Sequence, residues 1–323
     1  MPGPVAAPAP AAVHRRGRLA VRLERRGSRT VVAADEVAFP AGTVRLTDGD
    51  GDGLRELQIT SPSGGLLAGD RLDTIVEAGA GTSVSLVTQG ATRVYRARDG
   101  APASGGDPPA LASTGDPRDH PADANGGPAS DHASAGRADP TVLDTSIAVA
   151  ARARVEWVPH HLMPYADAAV HQRTTIDVAA SGALLAWESV AAGRSARGER
   201  FGWRRLDTRL RISRDGRPLL QDGADLGPGG EPFDGADLVS TVVVVLPDPA
   251  ASSASAARGL ADDLADALAD RPGVLGSASA PDDALVVARV LARDAPALYG
   301  ALHAVRVRAR AVLELPAPGR PVA

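Results

Sequence analysis

The sequence contains neither lysine nor cysteine. All 35 basic residues are arginine, so a Schiff-base lysine and the Gly-Lys-Ser/Thr phosphate loop are excluded. Without cysteine there can be no disulfide, thiolate metal site, iron–sulfur cluster or cysteine nucleophile. Aromatic residues make up only 3% of the 323 residues, which is few for a sugar-binding cleft. Metal or acid–base chemistry is therefore left to Asp, Glu and His.

The chain also lacks a surplus of positive charge and a long apolar run. Its formal net charge is -4, so we expect neither a nucleic-acid partner nor an anionic membrane surface. No stretch approaches the roughly 18 apolar residues that span a bilayer, and the Pro/Ala-rich amino terminus lacks the order of a secretory signal. We expect a cytoplasmic protein with a flexible leader at residues 1–17.

From Leu19 onward the sequence is a series of short β-type runs separated by turns. The runs LAVRLERR and RTVVAA flank Gly27-Ser28 and predict a hairpin. In HQRTTIDV, the alternation places Gln172, Thr174 and Ile176 on one strand face. Further runs lie at 44–46, 57–60, 72–77, 83–87, 92–96, 146–158, 183–190, 203–212, 218–221 and 238–246. Their close spacing favours a mainly β fold with antiparallel or mixed sheets over a βαβ enzyme.

Two segments interrupt this β-rich domain, which we place at residues 18–250. Residues 98–142 are rich in Pro, Gly, Ala, Ser and Asp, and predict a disordered inserted loop. Residues 251–315 predict a small carboxyl-terminal α/β element, followed by a tail at 316–323. Its helices are expected at 258–270, where leucines recur every four residues, and at 295–306, with a buried strand at 284–291 between them.

The segment from Ser61 to Asp70 is rich in glycine. Gly64, Gly65 and Gly69 indicate positive φ angles or close approach of another chain. A phosphate-binding loop would need a helix to begin here, but the following residues are strand-like. Spacing alone therefore favours a tight loop in which Asp70 caps backbone amides.

Two groups of polar residues are candidates for chemistry. His160 and His161 could bind nickel or zinc transiently, although adjacent residues of a strand point to opposite faces, so a surface histidine pair is favoured over a tetrahedral site. Glu188 ends an apolar run and must either lie near a strand end or have a partner. Arg194, Arg197 or Arg200 could supply that partner.

The sequence leaves three classes of function open. Asp70 and Glu188 could form a glycosidase-type carboxylate pair, whose separation the sequence cannot give. No Gly-x-Ser-x-Gly motif supports a serine hydrolase. A β-rich binding module without a metal, or a scaffold without catalysis, would have the same composition.

Three segments resemble the UreD (UreH) family of urease accessory proteins. They are SPSGGLLAGDRL at 61–72, VTQGATRVYR at 87–96, and the run from Val155 to Phe201 with its Glu-Trp-x-Pro opening and Gly-Arg-x-x-x-Gly-Glu-x-Phe loop. Their order and spacing also agree with the family. The motif residues are Gly64, Gly65, Gly69, Thr88, Gln89, Tyr95, Arg96, Gly193, Arg194, Gly198 and Glu199, and we expect them to shape or bind a partner surface.

This resemblance implies a non-catalytic scaffold with helically wound β-sheets. It implies that the chain binds apo-urease, recruits the UreF and UreG partners, and helps deliver nickel through an internal passage. Asp70 and Glu188 match polar residues of the family motifs and become the candidates for lining that passage. No tightly bound cofactor is implied, and Ni²⁺ would be bound only transiently.

Overall fold

Strands dominate the part of the chain that the computed structural model describes, which comprises residues 14–42, 45–48, 54–61, 63–96, 139–247 and 254–319. In chain order the strands are β1 (Arg16–Arg26), β2 (Arg29–Ala38), β3 (Arg45–Thr47), β4 (Arg55–Ile59), β5 (Arg71–Ala78), β6 (Ser83–Thr88), β7 (Thr92–Val94), β8 (Thr141–Val149), β9 (Arg154–Trp157), β10 (Leu162–Pro164), β11 (Ala169–Val178), β12 (Ala183–Ala191), β13 (Arg205–Arg214), β14 (Arg217–Leu226), β15 (Leu238–Val245), β16 (Val274–Asp282) and β17 (Leu285–Ala292). Two helices follow β15, namely α1 (Ala254–Leu268) and α2 (Ala295–Val312).

The strands form two mixed sheets. The seven-stranded sheet has the order β14-β13-β11-β8-β5-β1-β2. The ten-stranded sheet has the order β16-β17-β15-β12-β9-β6-β4-β3, with β10 paired to β12 and β7 paired to β10. The mainly β fold with mixed sheets and two helices near the carboxyl terminus is thereby confirmed.

The chain winds helically between these sheets. From β4 to β13 it alternates between the ten-stranded and the seven-stranded sheet, and each new strand pairs with the one laid down a turn earlier. These pairs are parallel, as in β5–β8, β8–β11, β6–β9 and β9–β12. Antiparallel pairs lie towards the sheet edges, as in the β1–β2 and β13–β14 hairpins. Strand spacing predicted the β content but not the parallel centre, because a strand's neighbour here lies a full turn away in sequence.

Three apolar layers hold the sheets and helices together. Inward side chains such as Val76, Ile147 and Leu184 fill the space between the sheets. The outer face of the ten-stranded sheet packs on the helices through side chains that include Leu185. The predicted leucine stripe of α1 is confirmed, since Leu260, Leu264 and Leu268 are buried. A third cluster closes one end, with Phe201, Trp203 and Phe233 in edge contacts.

Several predicted boundaries were wrong. The single run predicted at 146–158 is two strands, β8 and β9, because a turn at 150–153 carries the chain from one sheet to the other. The predicted leader contains the start of β1, and the predicted insertion contains the start of β8. Residues 1–13 and 98–138 of these two segments lie outside the described residues.

The carboxyl-terminal element is continuous with the large sheet. Its strand β17 pairs antiparallel with β15, and β16 pairs with β17 at the sheet edge. Strand β16 was not predicted, because its Ala/Ser/Gly-rich residues carry no strong β signal. Helix α2 begins where the Asp294 side chain accepts a hydrogen bond from the Ala297 amide, and it extends six residues beyond the predicted end at Arg306.

Candidate functional site

A row of threonines crosses the inner face of the seven-stranded sheet. Thr74, Thr145 and Thr174 are direct neighbours on β5, β8 and β11. The same row continues through Leu210 to Asp222 on the edge strand β14. One step further along the strands the inward residues are apolar. Winding has therefore stacked polar residues from distant parts of the sequence into one level of the sandwich.

A second polar row faces the first from the ten-stranded sheet. Glu188, Thr241 and Arg289 are direct neighbours on β12, β15 and β17. Their side chains line the same cavity as Asp222 of the opposite sheet. Two polar rows thus face each other across the space between the sheets.

Three neighbouring cavities follow these rows. The outer cavity, of about 350 Å³, is lined by Thr60, Gly65, Gln89 and Arg93 among others. The central cavity, of about 90 Å³, shares Thr74, Thr88 and Thr92 with the outer one. The far cavity, of about 210 Å³, shares Glu188 with the central one. Because neighbouring cavities share lining residues, we call the series the passage, and Glu188 lines both its central and its far part.

Glu188 forms no ion pair with a basic side chain in the part of the chain that the structure describes. The Thr174 hydroxyl donates a hydrogen bond to its Oε1. Burial raises the pKa of Glu188 to about 7, the hydrogen bonds of Thr174 and Gln172 oppose that rise, and the charge of Asp222 adds to it. The side chain is only partly buried by surface area because its carboxyl faces the cavities rather than packed atoms.

The predicted pairing of Glu188 with a following arginine was wrong. Arg194 forms a two-pronged pair with Glu199, and Arg200 pairs with Asp237 and Glu231. These arginines belong to the loop after β12, whereas Glu188 points inward from the strand itself.

Asp70 lines none of these three cavities, so the structure gives no support to the prediction that it lines a nickel passage. Its Oδ1 accepts hydrogen bonds from the backbone amide and the side chain of Arg15, at 3.0 and 3.2 Å. Its Oδ2 accepts from the Leu67 amide at 2.8 Å and pairs with the Arg15 guanidinium. The carboxylate therefore caps the loop and anchors β1 beside β5, which is the structural alternative that the sequence left open.

The two histidines are not a surface pair, so that prediction was wrong. His161 is buried, its Nδ1 lies 2.9 Å from the Tyr299 hydroxyl, and burial lowers its pKa to about 4. His160 lines the central cavity. Its Nδ1 lies 3.3 Å from the Thr88 hydroxyl, and its buried Nε2 has no hydrogen-bond partner among the described residues. Of these two histidines, His160 is the one whose imidazole lines the passage.

Glu156, a second enclosed glutamate, belongs to a buried ion cluster. Glu156 accepts hydrogen bonds from both Arg306 and Arg310 of α2, at 2.6–3.2 Å. Burial alone would raise the pKa of Glu156, but the two guanidinium groups outweigh it and lower the pKa to about 2. Within the described ranges no group of three His, Asp or Glu side chains could hold a metal ion.

Motif residues that are distant in sequence meet beside the outer cavity. The Tyr95 hydroxyl donates to the Gly64 carbonyl at 3.1 Å, and a Cβ on Gly65 would lie only 2.4 Å from the Tyr95 ring. Tyr95 packs edge-on against Tyr165, whose ring lies 4.4 Å from the guanidinium carbon of Arg194. The glycine loop, the Tyr95 strand and the Arg194 loop thus form one packed unit.

The remaining motif residues have local roles. Gly69 leaves no room for a Cβ beside the His14 ring, and Gly193 none beside the Glu199 carbonyl. Gly198 ends a short 3₁₀ turn with a φ of 72°. Thr88 accepts from the His160 amide at 2.8 Å, Gln89 lines the outer cavity, and Arg96 is exposed.

Sequence reasoning missed several residues of the passage: Thr74, Thr145, Asp222, Thr241 and Arg289. The available signal was the inward position of each strand, where a polar residue stands among aliphatic ones. This alternation did place Gln172, Thr174 and Ile176 on one face, and the structure confirms it. The missing information was which strands become neighbours.

Two further observations bear on the class of protein. Glu188 lines the central and far cavities, whereas Asp70 lines none of the three cavities, so the geometry gives no support to a hydrolase using that pair. In the same part of the chain, neither helix is long and apolar enough to cross a membrane.

Comparison with known proteins agrees with the motif assignment. The model of a family described as UreD urease accessory protein matches residues 15–322. The urease accessory protein UreD of Mycolicibacterium gilvum (strain PYR-GCK) is 32% identical over 257 residues, covering 79% of this chain and 78% of the relative. That of Anaeromyxobacter sp. (strain Fw109-5) is 32% identical, with 73% of this chain and 67% of the relative covered. That of Cupriavidus pinatubonensis (strain JMP 134 / LMG 1197) is 28% identical over 94% and 90% of the two chains.

The family model covers nearly the whole chain, and these relatives are about 30% identical to it where they align. The chain belongs to the UreD family of urease accessory proteins.

Proposed function

We propose that this chain is a non-catalytic urease maturation factor of the cytoplasm, which binds apo-urease together with UreF and UreG and carries Ni²⁺ towards the urease active site. Family membership supports the maturation role. GTP hydrolysis would belong to a partner, because the chain has no lysine and hence no Gly-Lys-Ser/Thr phosphate loop.

The observation that carries the nickel proposal is the position of Glu188. Its carboxyl faces both the central and the far cavity, and among the described residues the nearby Arg289 is paired with Asp222 instead. The central cavity also contains His160, with its unpartnered Nε2. Carboxylate and imidazole are ligands that Ni²⁺ accepts.

The composition of the passage supports transit rather than storage. Threonine hydroxyls and the Gln89 amide dominate its polar lining, and these groups are weak, neutral ligands. One carboxylate with one imidazole holds Ni²⁺ less firmly than a site with three or four strong ligands. An ion in the passage would therefore be attracted and released.

The test uses cells with a complete urease gene cluster from which this chain is deleted. Wild-type chain, Glu188→Ala and the control Asp225→Ala are restored in turn, and urease activity and nickel content are measured at limiting nickel. Asp225 is an exposed carboxylate that pairs with Arg205 on the outer face of the seven-stranded sheet. We expect Glu188→Ala to lower activity and nickel content roughly ten-fold or more while still co-purifying with urease, because a single ligand's loss costs this order of affinity.

Two outcomes would contradict parts of the proposal. Fully loaded urease in the deletion strain would reject the maturation role. Normal loading by Glu188→Ala, alongside poor loading in the deletion strain, would reject the nickel passage and leave only the scaffold.

A further inference from the structure

The far cavity ends at an ion pair that bridges the two sheets. The Arg289 Nη2 atom of β17 lies 2.5 Å from the Asp222 Oδ1 atom of β14. The Thr241 hydroxyl connects the pair, since it accepts from Arg289 Nη1 at 2.8 Å and donates to Asp222 Oδ2 at 3.2 Å. Arg289 and Asp222 thus close this end of the passage from opposite sides.

The pair is also coupled to Glu188 by position. Glu188, Thr241 and Arg289 are consecutive neighbours across β12, β15 and β17, and Asp222 lines the same cavity. The charge of Asp222 is felt at Glu188, where it contributes to the raised pKa. Two carboxyl groups therefore share the far cavity, but only Asp222 has a cationic partner.

Resting on the proposed function, we propose that the Arg289–Asp222 pair is a gate for divalent cations at the far mouth of the passage. With the pair formed, a guanidinium stands at the exit and neutralises Asp222, so a cation beyond Glu188 meets a positive charge and no free ligand. With the pair broken, Asp222 becomes a second carboxylate beside Glu188 and the exit attracts the cation.

The two side chains differ in the way a gate requires. The Arg289 side chain is 56% exposed and can move into water without leaving a buried cation behind, whereas Asp222 is 19% exposed and stays at the cavity. An exposed ion pair contributes little free energy, about 0–1 kcal/mol. Breaking the pair therefore costs little free energy. The charge at the mouth, more than the packing of the side chains, controls whether a cation passes.

The experiment measures Ni²⁺ binding to the purified full-length chain by calorimetry. Arg289→Met removes the charge but keeps the length of the side chain, and frees Asp222. We expect its dissociation constant for Ni²⁺ to fall roughly ten-fold below the wild-type value, because a repelling charge is lost and a carboxylate is gained. Arg289→Lys retains the charge and should bind as the wild type does.

The double variant Arg289→Met/Asp222→Asn decides between charge and packing. It should return to the wild-type dissociation constant, since the freed carboxylate is gone. Equal affinity of wild type and Arg289→Met, including no measurable binding by either, would overturn the gate, as would unchanged tight binding by the double variant. Loss of binding in Glu188→Ala without any effect of Arg289→Met would reject the gate while leaving the nickel passage intact.

Discussion

Glu156 and Glu188 are enclosed glutamates on neighbouring strands of one sheet, yet their surroundings are opposite. Glu156 faces the helices, where Arg306 and Arg310 hold its pKa at about 2. Glu188 faces the other sheet, where no guanidinium of the described residues pairs with it and burial raises its pKa to about 7. The comparison teaches that enclosure alone does not decide what a carboxylate does. Glu156 has a structural role because two arginines neutralise its charge. Glu188 is not neutralised in this way and can therefore attract a cation.

The largest expected effect on stability comes from removing Glu156, the glutamate whose charge two arginines neutralise. Glu156→Ala would deprive two buried guanidinium groups of the carboxylate they share, and we expect it to lower the free energy of unfolding by about 3–5 kcal/mol. Urea denaturation at pH 7 measures this. The control is Glu314→Ala, which removes an exposed ion pair with Arg154 and should cost about 1 kcal/mol or less.

The same cluster predicts an acid transition. Folding lowers the pKa of Glu156 from 4.5 to about 2, so its contribution is present above pH 4.5 and is lost as the pH falls through 2. Glu156→Ala should lack that part of the acid dependence. A variant as stable as the wild type at pH 7 would show that the cluster contributes nothing net.

The contribution of Glu188 to stability should depend on pH in the opposite direction. Folding raises the pKa of Glu188 from 4.5 to about 7, so its contribution is full below pH 4.5 and is lost as the pH rises through 7. The loss is at most about 3 kcal/mol, and water reaching the cavities would reduce it. Glu188→Gln should remove this loss and therefore be more stable than the wild type at pH 8, but not at pH 4.5.

Urea denaturation between pH 4.5 and 8 tests this, with Asp225→Asn as an exposed control that should follow the wild type. A Glu188→Gln variant whose stability declines with pH as steeply as that of the wild type would contradict the contrast between the two glutamates.

The smallest expected effect concerns the hydrogen bond between the Thr174 hydroxyl and the Glu188 carboxyl. Thr174→Val removes the hydroxyl that donates to that carboxyl, and should cost about 1 kcal/mol at pH 8 and less at pH 4.5, where the carboxyl is neutral. Thr145→Val, the neighbour in the same row, is the matched control. In the Glu188→Gln background the pH dependence of the Thr174→Val effect should disappear, and its persistence would place the hydrogen bond elsewhere.

The difference between the glutamates also marks how far prediction from sequence could go. Glu188 was singled out at the end of an apolar run, whereas Glu156 entered as the first residue of the Glu-Trp-x-Pro motif. The partners of Glu156 lie 150 and 154 residues away, and the arginines close to Glu188 in sequence were the wrong ones. A charged residue in an apolar run signals an unusual environment, but its partners are set by tertiary contacts.

By itself, the sequence determined the β-rich composition, most strand positions, the leucine face of α1 and the family. These depend on local alternation, helical spacing and motif order, which are written in consecutive residues. Only the tertiary structure decided that Asp70 caps a loop and that the His161 ring lies against the Tyr299 hydroxyl. It also decided that one passage is lined by Thr74, Thr174, Thr241 and Arg289. The physical reason is the helical winding, because it makes neighbours of residues a full turn or more apart, and no local pattern records that register.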